Sequence, residues 1–348
     1  MPFIPNSQET LNSMLKDMGY STFEELYNKA VPKDLQFDGH LEIPDALTEM
    51  EVTELLKYIS SKNTNTDKLV NFIGAGIYDH YIPAIVERIT SRPEFYTAYT
   101  PYQAEVSQGT LTAIFEFQSM ITALTGMEVA NASVYDGGSA IAEAINLAIA
   151  SSSKKRILVS TAIHPLYKRV IESYKAGCDV IFDEIPLDKN GLTDISVLEE
   201  KFKQHDDIAC FVLQNPNFFG NVEDGFAFGE ILSKQKKALF IASVDPISLG
   251  FLTPPGEYGA DIAVGEAQSL GNRMNFGGPN IGFFAAKKEY VRQMPGRIAG
   301  VTEDVDGKRG LVLTYQTREQ HIRRAKATSN ICSNQQLLAL AATVYLSL

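Results

Sequence analysis

From Leu69 onward, short apolar runs alternate with longer stretches whose apolar residues recur at helical spacing. The runs are Arg156–Ser160 (RILVS), Cys178–Ile185 (CDVIFDEI), Ile208–Gln214 (IACFVLQ), Leu239–Val244 (LFIASV), Asp261–Glu266 (DIAVGE) and Ile281–Ala286 (IGFFAA). They are too continuously apolar for a sheet with one wet face, so they predict strands covered on both sides. His164–Gly177, Asp194–His205 and Phe228–Ala238 are amphipathic and predict helices between them. Strand, helix, strand in repetition is the pattern of an α/β domain with a mainly parallel sheet.

Both ends of the chain read differently. Residues 1–65 predict helices with capping-box spacing at Asn6 and Glu9, Ser21 and Glu24, and Thr48 and Glu51. Val31–Leu47 between them has the prolines and polar residues of an irregular connection. Too few apolar positions occur there for a separate core, which predicts a helical arm. At the other end, Thr328–Leu348 has cap spacing at Ser333 and Gln336 and then runs apolar to the last residue. That pattern points to a truncated chain and to a last helix with an exposed apolar face. The expected organisation is an arm over 1–65, a large α/β domain over 66–310 and a helical connection over 311–348.

Composition narrows the class. The 348 residues are 45% apolar, and 42 acids against 31 bases give a net charge of −11. An acidic surface argues against nucleic acid and against anionic membranes as partners. No apolar run reaches the ~20 residues of a membrane span. The N-terminus lacks the charge and apolar pattern of a secretory signal. Cys178, Cys210 and Cys332 are odd in number, far apart and without metal-ligand spacing, which suits a reducing compartment. A soluble cytoplasmic protein is expected. The five histidines are scattered, and each is expected at the surface or in the core.

Ligands of open α/β sheets lie beyond the carboxyl ends of the strands, so the turns there are the candidates. Gly137, Gly138 and a capping Ser139 open a small-residue helix whose free N–H groups suit a phosphate or carboxylate; taken alone, the residues favour a tight turn with an ordinary cap. Gly74-Ala75-Gly76 lacks the third glycine of a dinucleotide fingerprint and is followed by Tyr78, Asp79 and His80. Tyr96, Tyr99, Tyr102 and Gln103 sit where a loop meets a helix, placed to stack on a ring or to line an interface. Asn215 and Asn217 follow one strand and Asp245 another. Asp245 suits either a turn or the carboxylate that pairs with the pyridine nitrogen of pyridoxal phosphate. In that enzyme class a lysine after a strand holds the cofactor as a Schiff base. Here the turn reads Glu266-Ala267-Gln268-Ser269, without lysine.

Long stretches carry a resemblance. FIPNSQETLNSML, NFIGAGIYDHYIP, FYTAYTPYQAEVSQGTLTAIFEFQSMI, ANASVYDGGSAIAEA, QNPNFFGNVED, QSLGNRMNFGGPNIGFFA and QTREQHIRRAKATSNICSNQ resemble subunit 1 of the two-subunit glycine dehydrogenase (decarboxylating) family. This is the P-protein of the glycine cleavage system. The resemblance implies the type I pyridoxal-phosphate-enzyme (aminotransferase-like) fold, a large α/β domain followed by a smaller C-terminal domain that is expected to be missing after Leu348. In subunit 2 of the family the matching motif is Asn-Leu-His-Lys-Thr, which puts Gln268 at its His and Ser269 at its Schiff-base Lys. It implies that the partner subunit holds the pyridoxal phosphate covalently, decarboxylates glycine and passes the aminomethyl group to the lipoyl arm of H-protein. Tyr96, Tyr99, Tyr102, Gln103 and Asn275 (in the loop MNFGG) are the expected contributors across the subunit interface. Gly137, Gly138, Ser139 and Asp245 are the expected relic of a cofactor pocket. A self-sufficient pyridoxal enzyme with another lysine and a pure scaffold are the rival expectations.

Overall fold

The computed structural model describes residues 6–37, 39–65, 68–70, 72, 74–235, 237–275, 277–327, 331 and 334–348. Two compact units divide it, Met1–Asn71 and Phe72–Leu348. In the first, α1 (Gln8–Asp17), α2 (Phe23–Ala30) and α3 (Glu49–Ser61) each begin at a side-chain cap. Thr48 and Glu51 form the reciprocal box that their spacing predicts. The other two helices start one residue later than expected. Ser7 Oγ, not Asn6, accepts from Thr10 N at 3.2 Å, and Thr22 Oγ1, not Ser21, accepts from Glu25 N at 3.2 Å. Asn, Ser and Thr cap almost equally well, so neighbouring candidates compete closely. Leu15 is the only buried apolar side chain among the described residues of this unit.

The second unit opens with α4 (Ala84–Thr90), α5 (Pro93–Tyr96) and α6 (Gln108–Thr125). Next come β1 (Val129–Ala130), α7 (Gly137–Ser152), β2 (Arg156–Ser160), α8 (Pro165–Lys175), β3 (Ile181–Ile185) and α9 (Ile195–Gln204). They lead to β4 (Ile208–Asn215), α10 (Gly225–Ser233), β5 (Leu239–Val244), β6 (Ile262–Glu266) and β7 (Gly282–Ala286). β8 (Ile298–Glu303), β9 (Arg309–Thr314), α11 (Gln320–Arg323) and α12 (Gln336–Leu346) follow.

Seven strands form one sheet in the order β1-β7-β6-β5-β4-β2-β3. β6, β5, β4, β2 and β3 are parallel, while β7 and β1 add antiparallel pairings at the other end. Alternate residues of the inner strands serve opposite faces. Phe211, Leu213, Phe240 and Phe283 belong to the core that includes Phe117, Leu198, Phe228 and Ala342 of the α6, α9, α10 and α12 layer. Cys210, Val212, Ile241 and Phe284 belong to the core that includes Ile141 and Ile145 of α7 and Ile171 of α8. The sheet is therefore covered on both faces, as its apolar runs predict. β3 is the exception: it lies at the sheet edge, where Ile181 and Glu184 are exposed. Its Asp183 is paired with Arg156 at 2.7 Å and Lys201 at 3.2 Å, and charges suit an edge strand.

Two expectations for the C-terminal part are corrected. β8 and β9 form an antiparallel hairpin that straddles residue 310, so strand stands where a helical connection was expected to begin. Gln118 of α6 holds β8 by mimicking a strand neighbour: its Nε2 donates to Ala299 O at 3.0 Å and its Oε1 accepts from Ala299 N at 2.8 Å. The last helix is not an open apolar face either. Ala339, Leu340, Ala341, Ala342 and Thr343 of α12 are buried, and the helix packs on α4 and α6. Ser333, its expected cap, lies outside the described residues, as does Cys332. Among the described residues no helix is long and apolar enough to cross a membrane.

Candidate functional site

The carboxyl ends of β2, β4, β5 and β6 frame a cavity of about 370 Å³. Its walls are the Gly74–Gly76 loop, His164 and Tyr167 after β2, the Pro216–Gly220 turn after β4, Ser243 and Asp245 at the end of β5, and Glu266, Gln268 and Ser269 after β6.

His164 is buried against this space. Its Nδ1 accepts from Leu166 N at 3.0 Å, which leaves the proton on Nε2 to be donated to Ala75 O at 2.7 Å. Its ring lies 4.7 Å from Tyr167, stacked, and 5.1 Å from Phe218, edge-on. A Cβ at Gly76, whose φ is +89°, would come within 2.7 Å of His164 Cδ2. Both ring nitrogens are committed, so His164 serves as a neutral wall. Its one sequence signal was a place in the turn after a buried strand, directly before Pro165.

Glu266 points its carboxylate at the N-terminus of α7. Oε2 accepts from Gly137 N at 3.0 Å, while Oε1 accepts from Gln268 N and Ile281 N at 3.1 Å each. Burial raises its pKa to about 7 in spite of these donors, and Asp136 nearby adds to the rise. Gly137 is what permits the close approach: a Cβ there would lie 2.6 Å from Tyr167 Oη and 3.0 Å from Glu266 N. Gly138 is nearly as tight against Val170 and Tyr167. Asp136, not Ser139, caps the helix, its Oδ1 accepting from Ser139 N at 2.7 Å. The buried Ser139 side chain bonds Tyr174 instead.

Asp245 takes the turn role and also faces the cavity. Oδ1 accepts from Ile247 N at 3.0 Å, as in a turn, while the residue lines the cavity and burial raises its pKa. Gln268 is buried and donates its side-chain N–H to Asn272 O. Ser269 Oγ is buried without a partner among the described residues. Asn217 lines the cavity and Asn215 does not, and the side chains of both are engaged within the chain. Asn215 Oδ1 accepts from Glu223 N at 3.0 Å; Asn217 accepts from Phe219 N at 3.0 Å and donates to Glu223 Oε1 at 2.8 Å.

The tyrosine loop lies elsewhere. Tyr96, Tyr99, Tyr102, Gln103 and Asn275 do not line this cavity. Tyr96 and Tyr99 are 68% and 86% exposed. Tyr96 and Asn275 border a different surface cavity of about 690 Å³ beside Arg273. Tyr102 is engaged within the chain: its hydroxyl accepts from Arg297 Nη2 at 3.1 Å and donates to Glu319 Oε2 at 3.4 Å. Phe276, in the loop with Asn275, lies outside the described residues.

Residues 1–348 match the family model described as glycine cleavage system P-protein. A "Probable glycine dehydrogenase (decarboxylating) subunit 1" from Carboxydothermus hydrogenoformans is 50% identical over 347 residues, covering 100% of this chain and 77% of the relative. A protein of the same name from Bacillus thuringiensis subsp. konkukian is 53% identical over 342 residues, covering 98% of this chain and 75% of its own. A crystal structure of glycine decarboxylase (P-protein) of the glycine cleavage system, in inhibitor-bound form, matches with a TM-score of 0.92 and 44% identity, over 100% of this chain and 77% of that one. Alanine–glyoxylate aminotransferase from Nostoc sp. matches with a TM-score of 0.53 and 14% identity, over 82% of this chain and 70% of its own. That likeness is one of fold, the aminotransferase-like fold of pyridoxal-phosphate enzymes.

The cavity does not fit a covalently held pyridoxal phosphate. Among the described residues no lysine lines it, and the hydroxyl of Ser269 cannot replace an amine in a Schiff base. Lys287 pairs with Asp261 Oδ1 at 2.5 Å, next to the start of β6 and so at the opposite end of that strand from the cavity.

Proposed function

Because the chain belongs to the glycine cleavage system P-protein family, we propose that it is the subunit of glycine decarboxylase that carries no cofactor lysine. A second subunit holds pyridoxal phosphate covalently, and that cofactor supplies the electron sink for loss of CO2 from glycine. The complex hands the remaining aminomethyl group to the lipoyl arm of H-protein in the cytoplasm. Ser269 takes the place of the Schiff-base lysine, and Gln268 that of the histidine beside it. Gly137, Gly138, Ser139 and Asp245 are what is left of a cofactor pocket.

On this reading the chain contributes wall and assembly. Tyr96, Tyr99, Tyr102, Gln103 and Asn275 reach across the subunit interface towards the partner's cofactor. Their absence from the cavity of their own chain supports that role, and so does the exposure of Tyr96 and Tyr99, since aromatic residues are enriched at interface cores. One observation carries the reading: half of the sequence is shared with proteins named subunit 1, yet no lysine is among the described residues lining the cavity.

The test is exchange of the glycine carboxyl carbon with CO2 in the presence of H-protein. The mixture of this chain with subunit 2 should exchange, and neither alone should. Exchange by this chain alone, with borohydride trapping on one of its lysines, would identify a self-sufficient enzyme. Full exchange by subunit 2 alone would leave this chain a scaffold.

A further inference from the structure

The first N–H groups of a helix are the natural seat of a phosphate, because they are unpaired and the helix dipole favours an anion there. In α7 that seat is already taken by the protein. Glu266 Oε2 accepts from Gly137 N at 3.0 Å, and Asp136 Oδ1 accepts from Ser139 N at 2.7 Å. The carboxylate of Glu266 is further fixed by N–H donors of Gln268 and Ile281 at 3.1 Å each. Glu266 also lies three positions before Ser269, so one short turn alters both ends of a cofactor site. It removes an amine and adds an anion. The described lining contains the carboxylates Glu266 and Asp245 and no Lys or Arg, and a buried anion without a cationic partner is costly. The buried, unpartnered Ser269 Oγ shows that the rest of the space was not rebuilt as core.

We propose that the carboxylate of Glu266 is a built-in replacement for the cofactor phosphate and, with Asp136, closes this chain's own cavity to phosphorylated ligands, free pyridoxal phosphate included. This deepens the reading of a subunit that leaves the cofactor to its partner. Glu266 would thus set specificity by exclusion, keeping the cofactor on the subunit that can use it.

The chain is titrated at about pH 8, above the raised pKa of Glu266, with inorganic phosphate and with pyridoxal phosphate by calorimetry, as wild type, Glu266→Ser, and Glu266→Ser combined with Asp136→Ser. Wild type should bind neither ligand in this cavity. One or both variants should bind phosphate roughly tenfold or more tightly than wild type, the scale of one charge at a helix end. A crystal of the wild-type chain with phosphate on Gly137 N would overturn the inference, even if neither variant folds. Folded variants that gain no affinity would overturn it as well. Phosphate binding is read without subunit 2, so a failure here leaves partner-dependent exchange untouched, and a failure of exchange leaves the phosphate result standing.

Discussion

Glu266 titrates in the fold near pH 7 against an ordinary value of 4.5, because burial outweighs its three N–H donors. A carboxyl with a raised folded pKa binds its proton more tightly in the native state than in the unfolded chain. Its contribution to stability is therefore fully present below about pH 4.5 and lost as pH rises through about 7. The loss is on the order of 3 kcal/mol. Glu266→Gln cannot ionise, so urea unfolding should show a flatter decline than wild type between about pH 5 and 8. Equal declines would mean that Glu266 does not carry this linkage. Neither this residue nor His164 was legible as a site residue. Each owes its role to a partner remote in sequence, Gly137 for Glu266 and Ala75 for His164. Alone, a glutamate after a strand reads as an ordinary turn residue. The places of the glycine pair and Asp245 at element ends, by contrast, follow from the strand and helix pattern itself.

Elements were legible where burial is continuous. The runs in β4, β5 and β6 are apolar because both faces are covered, and their bounds agree with the sequence to within a residue. β1 is too short to leave a pattern. The β8–β9 hairpin was less legible because the core it shares is small: Ala299, Leu311 and Leu313 pack with Leu111 and Ile114 of α6, and polar side chains of α6 hold its backbone, contacts that apolar periodicity does not register. Gln118 satisfies both backbone groups of Ala299, and Gln108 does the same for Leu311, accepting and donating at 2.9 Å. Gln118→Ala should leave two buried backbone groups of β8 unpaired and cost about 2–4 kcal/mol in denaturant unfolding. A loss under about 0.5 kcal/mol, the range of neutral surface changes, would show that the hairpin does not depend on this contact. The last helix was misread for a related reason. Its cover comes from α4 and α6, more than 200 positions earlier, so the local sequence shows an apolar run with nothing in view to bury it.

At the scale of the whole molecule, the tyrosine loop separates a structural role from an assembly role. Tyr102 ties α5 and the following loop to the two ends of the hairpin, to Arg297 just before it and Glu319 after it, and its ring lies 5.3 Å from the Arg297 guanidinium. Removing it should weaken the chain by itself. Tyr96 and Tyr99 are mostly exposed, so alanine at either should change the unfolding free energy of the isolated chain by no more than about 0.5 kcal/mol. If they are buried against subunit 2, the same changes belong among interface anchors, whose loss typically costs 2 kcal/mol or more, roughly thirtyfold in affinity. The expected pattern is thus split. Tyr102→Ala lowers the melting temperature of the chain alone as well as association with subunit 2, whereas Tyr96→Ala and Tyr99→Ala lower only that association and the carboxyl exchange that depends on it. Melting curves of the isolated variants and exchange rates across a titration of subunit 2 measure the two halves. A lost interface contact alone shifts the titration midpoint, and excess subunit 2 restores the rate. A contact with the partner's cofactor lowers the plateau itself. Alanine variants of Tyr96 and Tyr99 that titrate like wild type would remove the loop from the interface and leave this chain's contribution to be sought on another face.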